Sequence, residues 1–496
     1  MKFRLALFAP AVLALAAPAA AQPAPAPAEP APATPSTEPT VPPVPTAPPG
    51  TGQPAPPPAP AESSKPGAAP GPGEVTSKWS ATIYGFAEVD LMHDTTQSFT
   101  ESPGNGLIVR PTGLTYNNGR TQTTARNSRL GVRLNAPAFE GMKASGNVEM
   151  DFMGYQPGIA PANPSVSEAS FFNNGTFRMR AAYAKVESEY VDLLAGQYYF
   201  LFGEQPFFQP MSIWFFGLPN MAFGRTQQFR LSHTFKSEAA NVDLAVSAQR
   251  PPQRDSEIPD FQGGLKVGIN SWKGVHAGGS GYAAFDPLTV AVSGSVRHFR
   301  VNDFAAAPTS LRTINGWGIS LDGMIPIIPA ASAKAKGNAL TLTGSFVMGS
   351  GIGDLIGGLT GGAAFPAVPA AMPGGASTPY PANVDPGIIQ YDTMGNLRAI
   401  NWQTLVVGAQ YFVPPSGRIS IGANYTLGKS DNITDGLTGN ALAGVFKESQ
   451  YFEAVVIGDL TPAVRIGAAW QRTQQTRGDE AVSKNNRLEL SVYFFF

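Results

Sequence analysis

The feature that most constrains this chain is a two-residue alternation of apolar and polar side chains along short segments of its body. In the segment 143–152, apolar residues occupy one face, whereas Lys143, Asn147, Glu149 and Asp151 occupy the other. Successive side chains of a β-strand point to opposite faces. A strand buried on both faces would not hide these polar residues, whereas a closed barrel with lipid outside and water inside requires the pattern.

The composition narrows the class of protein further. The chain has 496 residues, no cysteine and 54 glycines, and only 14% of its residues are charged, against about 25% in soluble domains. No stretch reaches the ~18 consecutive apolar residues of a membrane-spanning helix. We therefore expect an all-β protein, either a membrane β-barrel or a secreted β-sandwich or solenoid. The lack of cysteine excludes a disulfide scaffold and a thiol nucleophile.

The connections between the predicted strands alternate between two lengths. Short connections include 138–141, 188–190, 237–239 and 414–417. Alternating short turns and long loops are typical of outer-membrane barrels, which must close because an open sheet edge in lipid leaves backbone groups unpaired. The pattern predicts an antiparallel transmembrane barrel of about 16 strands. The predicted long loops are 92–122, 155–174, 200–226, 251–261, 301–313, 351–398, 430–447 and 476–484.

The C-terminal segment also predicts a barrel strand. From Arg487 to Phe496 apolar and polar residues alternate, and the chain ends in phenylalanine. An alternating last strand with a terminal Phe resembles the insertion signal of Gram-negative outer-membrane porins. As the edge strand of a secreted sandwich, the same segment would expose a free apolar edge that invites aggregation.

The N-terminal region indicates export. Lys2 and Arg4 precede the apolar stretch 5–17, and small residues end at Ala21, so residues 1–21 read as a signal peptide cleaved near Ala21. Residues 22–77 are rich in Pro and Ala, cannot bury a core, and are predicted to be a disordered periplasmic arm. Such an arm is either an inert spacer or a segment that extends through the periplasm to contact peptidoglycan or another periplasmic partner. Residues 78–496 then form the barrel.

Arginines are the most prominent charged residues on the predicted inward faces. Guanidinium groups stay charged and bind carboxylate or phosphate through a planar fork, so they favour an anion-selective lumen. The alternative is that each arginine pairs with a luminal carboxylate such as Glu88, Asp90, Glu149 or Asp151. Because Lys+Arg is 34 and Asp+Glu is 35, any anion preference must come from arrangement. The arginines predicted to face inward are Arg129, Arg133, Arg178, Arg180 and Arg230.

Two of the long loops differ sharply in composition. The third, residues 200–224, is rich in aromatic residues, and in porins the third loop commonly folds inward and narrows the channel. The alternative is that these rings pack at a subunit contact or on the inner wall. The Gly/Pro/Ala-rich loop 349–395 is expected to be mobile and is assigned no role. The candidate constriction residues are Phe207, Phe208, Trp214, Phe215 and Phe216.

Five segments carry a resemblance to one family, and they spread over most of residues 80–496. The body resembles the DcaP-like porins, which are trimeric outer-membrane channels. The resemblance implies a homotrimer of sixteen-stranded barrels in contact with outer-membrane lipid and lipopolysaccharide, and uptake of anionic solutes, dicarboxylates among them. The matching segments are 127–132, 177–183, 193–198, 225–230 and 486–496. The pore residues that it implies are Arg129, Arg178, Arg180, Arg225 and Arg230.

Other function classes receive little support. The chain has four histidines, and the alternation places His233 and His298 among lipid-facing residues. Neither a Ser-His-Asp arrangement nor a metal-binding spacing is present, so no enzyme activity, metal or cofactor is expected. No long basic run supports nucleic-acid binding. The expected function is passive diffusion of small anionic solutes, and the alternative is a structural anchor whose arm reaches peptidoglycan.

Overall fold

The computed structural model describes residues 79–101, 106–154, 175–203, 212–213, 218–254, 256–276, 284–369, 378–379 and 384–496. The predicted signal peptide, residues 1–21, and the predicted arm, residues 22–77, lie outside the described residues.

Sixteen antiparallel β-strands form a closed barrel, as the sequence predicts. Each strand pairs with the next along the chain, and the first pairs with the last from Phe86 opposite Phe495 to Asp94 opposite Arg487. The second strand consists of two segments, both paired with the first. The strands are β1 Ser80–Asp94, β2 Arg120–Thr124 with Arg129–Asn135, β3 Lys143–Asp151, β4 Arg178–Glu187, β5 Asp192–Tyr199, β6 Arg225–Lys236, β7 Ala240–Gln249, β8 Asp260–His276, β9 Ala284–Asn302, β10 Leu311–Ile328, β11 Leu340–Ser350, β12 Asn401–Phe412, β13 Ile419–Lys429, β14 Phe446–Asp459, β15 Val464–Arg477 and β16 Val482–Phe495.

The outside of the barrel is apolar and the inside is polar. In β16, Leu488 and Leu490 are 59% and 55% exposed, whereas Arg487 and Glu489, which alternate with them, are each 1% exposed. The same alternation of exposure runs through β14 and β15. An apolar outer face suits a lipid environment, and an inward polar face can line a water-filled lumen.

A β-bulge in β4 changes which residues face inward. The register shifts between Glu149 and Met150 of β3, so Arg180 is the extra residue on β4. Beyond the bulge, Tyr183 lies directly opposite the buried Asn147 and therefore faces inward. The alternation predicts Tyr183 on the lipid face, and that prediction is wrong because one inserted residue reverses the parity of the strand.

Two long loops pack together against the inner wall. Phe223 donates its backbone N–H to the Leu355 carbonyl at 3.0 Å. Phe200, Phe202 and Ala222 of one loop and residues 352–363 of the other share an apolar cluster with Trp402 of β12 and Phe446 of β14. The expectation of a mobile loop over 349–395 is therefore wrong for residues 352–363, because Leu355, Ile356 and Leu359 are buried in this cluster.

The described residues include one short α-helix, Gly439–Gly444, and two 3-10 turns, Leu114–Tyr116 and Gly353–Leu355. None of the helices in this part of the chain is long and apolar enough to cross a membrane.

Candidate functional site

Two arginines of β4 share one carboxylate on the inner wall. Arg178 Nε and Nη2 donate to Asp151 Oδ1 and Oδ2 at 3.0 and 2.6 Å, which is a bidentate pair. Arg180 Nη1 donates to the same Oδ2 at 2.8 Å, and its Nε donates to Glu149 Oε1 at 2.7 Å. Ordinary alternation places Arg178 and Arg180 on the same inward face of β4, and the bulge at Arg180 changes the parity only of the residues that follow it.

Arg129 joins the same carboxylates from the neighbouring strand β2. Its Nε lies 3.5 Å from Glu149 Oε1. Its guanidinium carbon lies 4.9 Å from the centre of the Phe86 ring, within the range of a cation–π contact. Arg129 is therefore fixed between an aromatic ring of β1 and a carboxylate of β3.

Tyr199, at the end of β5, connects the remaining arginines to this group. Its hydroxyl accepts a hydrogen bond from Arg180 Nη2 at 3.3 Å, and its carbonyl accepts one from Arg230 Nη2 at 2.7 Å. The guanidinium carbon of Arg225 lies 5.6 Å from the centre of its ring. Three different parts of one tyrosine therefore position three arginines.

We call the connected set the arginine cluster. It carries five positive and two negative formal charges on strands β2 to β6. Arg133 does not join it: this side chain is exposed and lies 5.4 Å over the Tyr84 ring. The structure thus brings together five of the six arginines that the sequence singles out. The members are Arg129, Arg178, Arg180, Arg225 and Arg230, with Glu149 and Asp151.

The alternative of charge balance holds for part of the cluster. Glu149 and Asp151 pair with arginines, as that alternative expects. Glu88 and Asp90 instead accept hydrogen bonds from Asn127 Nδ2 and Ser491 Oγ, each at 2.5 Å.

The described residues of the third long loop lie inside the barrel. Ser212 Oγ donates to Glu453 Oε1 of β14 at 2.9 Å, and Asn220 Nδ2 donates to Thr426 Oγ1 of β13 at 3.1 Å. Ile213 packs on inward residues of β14 and β15. This loop therefore starts beside the arginine cluster and reaches the wall of β13 to β15. The candidate constriction residues Phe207, Phe208, Trp214, Phe215 and Phe216 lie outside the described residues.

Arg297 of β9 is a luminal arginine that the sequence analysis does not single out. Its Nε donates to Asp260 Oδ2 at 2.8 Å, and its Nη1 donates to Asp354 Oδ1 at 2.6 Å. The sequence alone could have predicted that Arg297 faces inward, because alternation places its neighbours Val296 and His298 on the outer face. The sequence could not predict its pairing with Asp354, because Asp354 lies 57 residues away in a loop.

Within the described ranges, no group of three or more His, Asp or Glu side chains is placed to hold a metal ion.

Comparison with known proteins adds a fold relationship. No family model and no curated protein sequence matches this chain. The outer-membrane channel DcaP of Acinetobacter baumannii has a similar structure, with a TM-score of 0.59 and 18% identity over 85% of this chain and 99% of that chain. An anion-selective porin from Comamonas acidovorans matches with a TM-score of 0.48 and 11% identity, over 84% of this chain and 100% of that one. The resemblance to DcaP-like porins is thus confirmed for the barrel fold.

Proposed function

We propose that this chain is an outer-membrane porin through which small anionic solutes, carboxylates in particular, diffuse passively. The observation that carries the proposal is the arginine cluster, which gives one inner wall an excess of positive charge. Carboxylate is the natural partner of a guanidinium fork. In a narrow lumen with low-dielectric walls, such a wall raises the local concentration of passing anions.

The geometry of the cluster also suits release. Glu149 and Asp151 already neutralise part of its charge, so a passing carboxylate competes with them for the guanidinium groups. Conduction requires binding that is favourable enough for entry and weak enough for exit. A partly neutralised cluster meets both needs.

The location and assembly follow from the same proposal. In this proposal the barrel lies in the outer membrane in contact with lipid and lipopolysaccharide, and the apolar outer face supports that location. The protein assembles as a homotrimer, as the resemblance to DcaP-like porins implies. The Pro-rich arm, residues 22–77, extends into the periplasm, and deletion of residues 23–73 is expected to leave conductance unchanged. An anchor that works through peptidoglycan would instead lose its effect on the cell envelope.

The selectivity is tested by removing positive charge from those arginines of the cluster whose loss should disturb the inner wall least. Arg225 and Arg230 are suited to this, because they contact Tyr198, Tyr199 and Gln228, whereas the buried Asp151 fixes Arg178 and Arg180. We expect the double variant Arg225→Gln with Arg230→Gln to lower the chloride-to-potassium permeability ratio about twofold or more in a planar bilayer.

The control for loss of positive charge away from the cluster is Arg418→Gln, which removes one charge, against two in the double variant, from an exposed turn residue between β12 and β13. This control should leave the permeability ratio at the wild-type value. An unchanged ratio in the double variant, with correct folding, would contradict the role of the cluster.

A further inference from the structure

A polar cavity of about 300 Å³ lies beside the arginine cluster. Arg225 belongs to both, so a solute in the cavity is already at the edge of the charged wall. The residues that line the cavity come from the start of β6, the end of β7, the start of β8, β9 and the loop between β11 and β12. Its charged lining residues are Arg225, Arg250, Arg297, Asp260, Asp354 and Asp385.

The charges in this cavity are separated by sign. Arg297 is held between Asp260 and Asp354, with N–O distances of 2.8 and 2.6 Å. One positive charge therefore meets two negative ones there, and Asp385 adds a third carboxylate. Arg225 and Arg250 lie on the β6 and β7 side of the cavity. One side thus has an excess of positive charge, and the other has an excess of negative charge.

Two oppositely charged residues that line the cavity, Arg225 and Asp260, each have one buried polar atom of note. Arg225 Nη1, a donor, and Asp260 Oδ1, an acceptor, are both buried and have no hydrogen-bond partner among the described residues. Buried polar atoms in proteins are nearly always hydrogen-bonded. Arg225 and Asp260 therefore each keep hydrogen-bonding capacity that the described residues do not use, and a solute with an acceptor at one end and a donor at the other matches this pair of lining residues.

Asp385 strengthens the acidic side. Its side chain is exposed, and the backbone N–H of the residue is fixed by a hydrogen bond to the Pro252 carbonyl at 3.2 Å. Desolvation and the nearby Asp354 carboxylate raise the pKa of Asp385 above its ordinary value. This shift is expected for a carboxyl group with too little positive charge around it.

We propose that this cavity binds a small zwitterionic solute of the amino-carboxylate class, an inference that rests on the proposed porin function. The solute's carboxylate accepts from Arg225 and Arg250, and its ammonium group donates to Asp260 and Asp385. A simple carboxylate would leave the acidic side without a partner, and a simple amine would leave Arg225 without one. The cavity thereby favours solutes that carry both groups.

The test compares three solutes of nearly equal size entering liposomes that contain the purified full chain. Alanine carries both groups, lactate has a hydroxyl in place of the ammonium group, and alaninol has a hydroxymethyl in place of the carboxylate. At concentrations that do not saturate the cavity, we expect alanine to enter about fivefold faster than either analogue.

Variants at exposed positions separate the two ends of the cavity. Asp385→Asn is expected to slow alanine about fivefold and to leave lactate unchanged, whereas Arg250→Gln slows both. The control variants Glu238→Gln and Arg418→Gln make the same charge changes in exposed turns outside the cavity. The inference would be overturned if alanine entered no faster than lactate and Asp385→Asn did not change the ratio of the alanine rate to the lactate rate.

A second measurement separates this inference from the porin proposal. Saturation-transfer NMR on the detergent-solubilised protein detects alanine binding without transport. Chloride and lactate that fail to cross the wild-type liposomes would overturn the porin proposal. Alanine binding that weakens in Asp385→Asn would still support the cavity, and binding that is equal in both proteins would overturn it.

Discussion

Arg178 Nη2 and Arg180 Nη1 donate to the same oxygen, Oδ2 of Asp151, at 2.6 and 2.8 Å. Two groups of like charge are held close together by one fully buried carboxylate. Asp151 therefore has two opposing effects, since it stabilises the wall and also lowers the positive charge of the lumen.

Replacing Asp151 by asparagine should separate these two effects. We expect Asp151→Asn to lower the free energy of unfolding by about 3–5 kcal/mol, because a buried ion pair loses one partner. The same change should raise anion preference, because the guanidinium charge is no longer neutralised. Urea unfolding in lipid and the reversal potential check the two effects. Asp243→Asn is the control, since Asp243 pairs with Lys266 at a more exposed position; a shift toward cations in Asp151→Asn would contradict the account.

Trp402 should hold the two inner loops in place. It is fully buried in the apolar cluster that joins Phe200, Phe202 and Ala222 of one loop to residues 352–363 of the other. We expect Trp402→Ala to cost about 3–5 kcal/mol of stability and to increase single-channel conductance as the loops loosen. Trp470→Ala is the matched control, because Trp470 is 39% exposed on the outer face. Equal conductance of the two variants would show that these loops do not limit the current.

A charged residue on the outer face, in the middle of a strand, should destabilise the barrel. Val292 lies near the centre of β9, faces outward and is 43% exposed. We expect Val292→Arg to cost about 2–4 kcal/mol in lipid, as lipid-facing arginine does near the bilayer midplane. Leu460→Arg is the control, because Leu460 is 57% exposed in a turn outside the strands. The free energy of unfolding in liposomes is measured for both variants. Equal stability of the two variants would argue against a membrane-spanning barrel.

The loop between β11 and β12 should be sensitive to acid. Asp392 Oδ2 accepts from Asn396 Nδ2 at 2.8 Å, and its Oδ1 accepts from the Asn396 backbone N–H at 2.9 Å. These hydrogen bonds hold the pKa of Asp392 at about 2, against about 3.9 in an unfolded chain.

A folded-state pKa below the unfolded value gives stability that is present above pH ~4 and is lost as the pH falls toward about 2. We therefore expect pepsin to cut the segment 389–399 much faster at pH 2 than at pH 4. Asp392→Asn should remove this pH dependence. Asp435→Asn, which changes the other carboxylate partner of Arg398, should retain it.

Much of the barrel could be predicted from sequence, because alternation reports which face each strand residue occupies. The segment ending at Phe496 and the inward direction of Arg129, Arg178 and Arg180 follow from it. Tyr183 was assigned wrongly because alternation cannot reveal an inserted residue in a strand. The pairing of Arg297 with Asp354 could not be predicted because it depends on how a loop folds. Leu355 and Leu359 were missed because the surrounding Gly, Pro and Ala residues suggested a loop without a core.

The central claim is that the lumen prefers anions, and one measurement tests it most directly. Purified wild-type protein is inserted into a planar bilayer, and the reversal potential is measured across a KCl gradient. We predict a reversal potential with the same sign as the equilibrium potential of chloride. The conductance should appear in steps of three equal levels. A potential of the sign set by potassium, or a barrel that carries no current, would contradict the account.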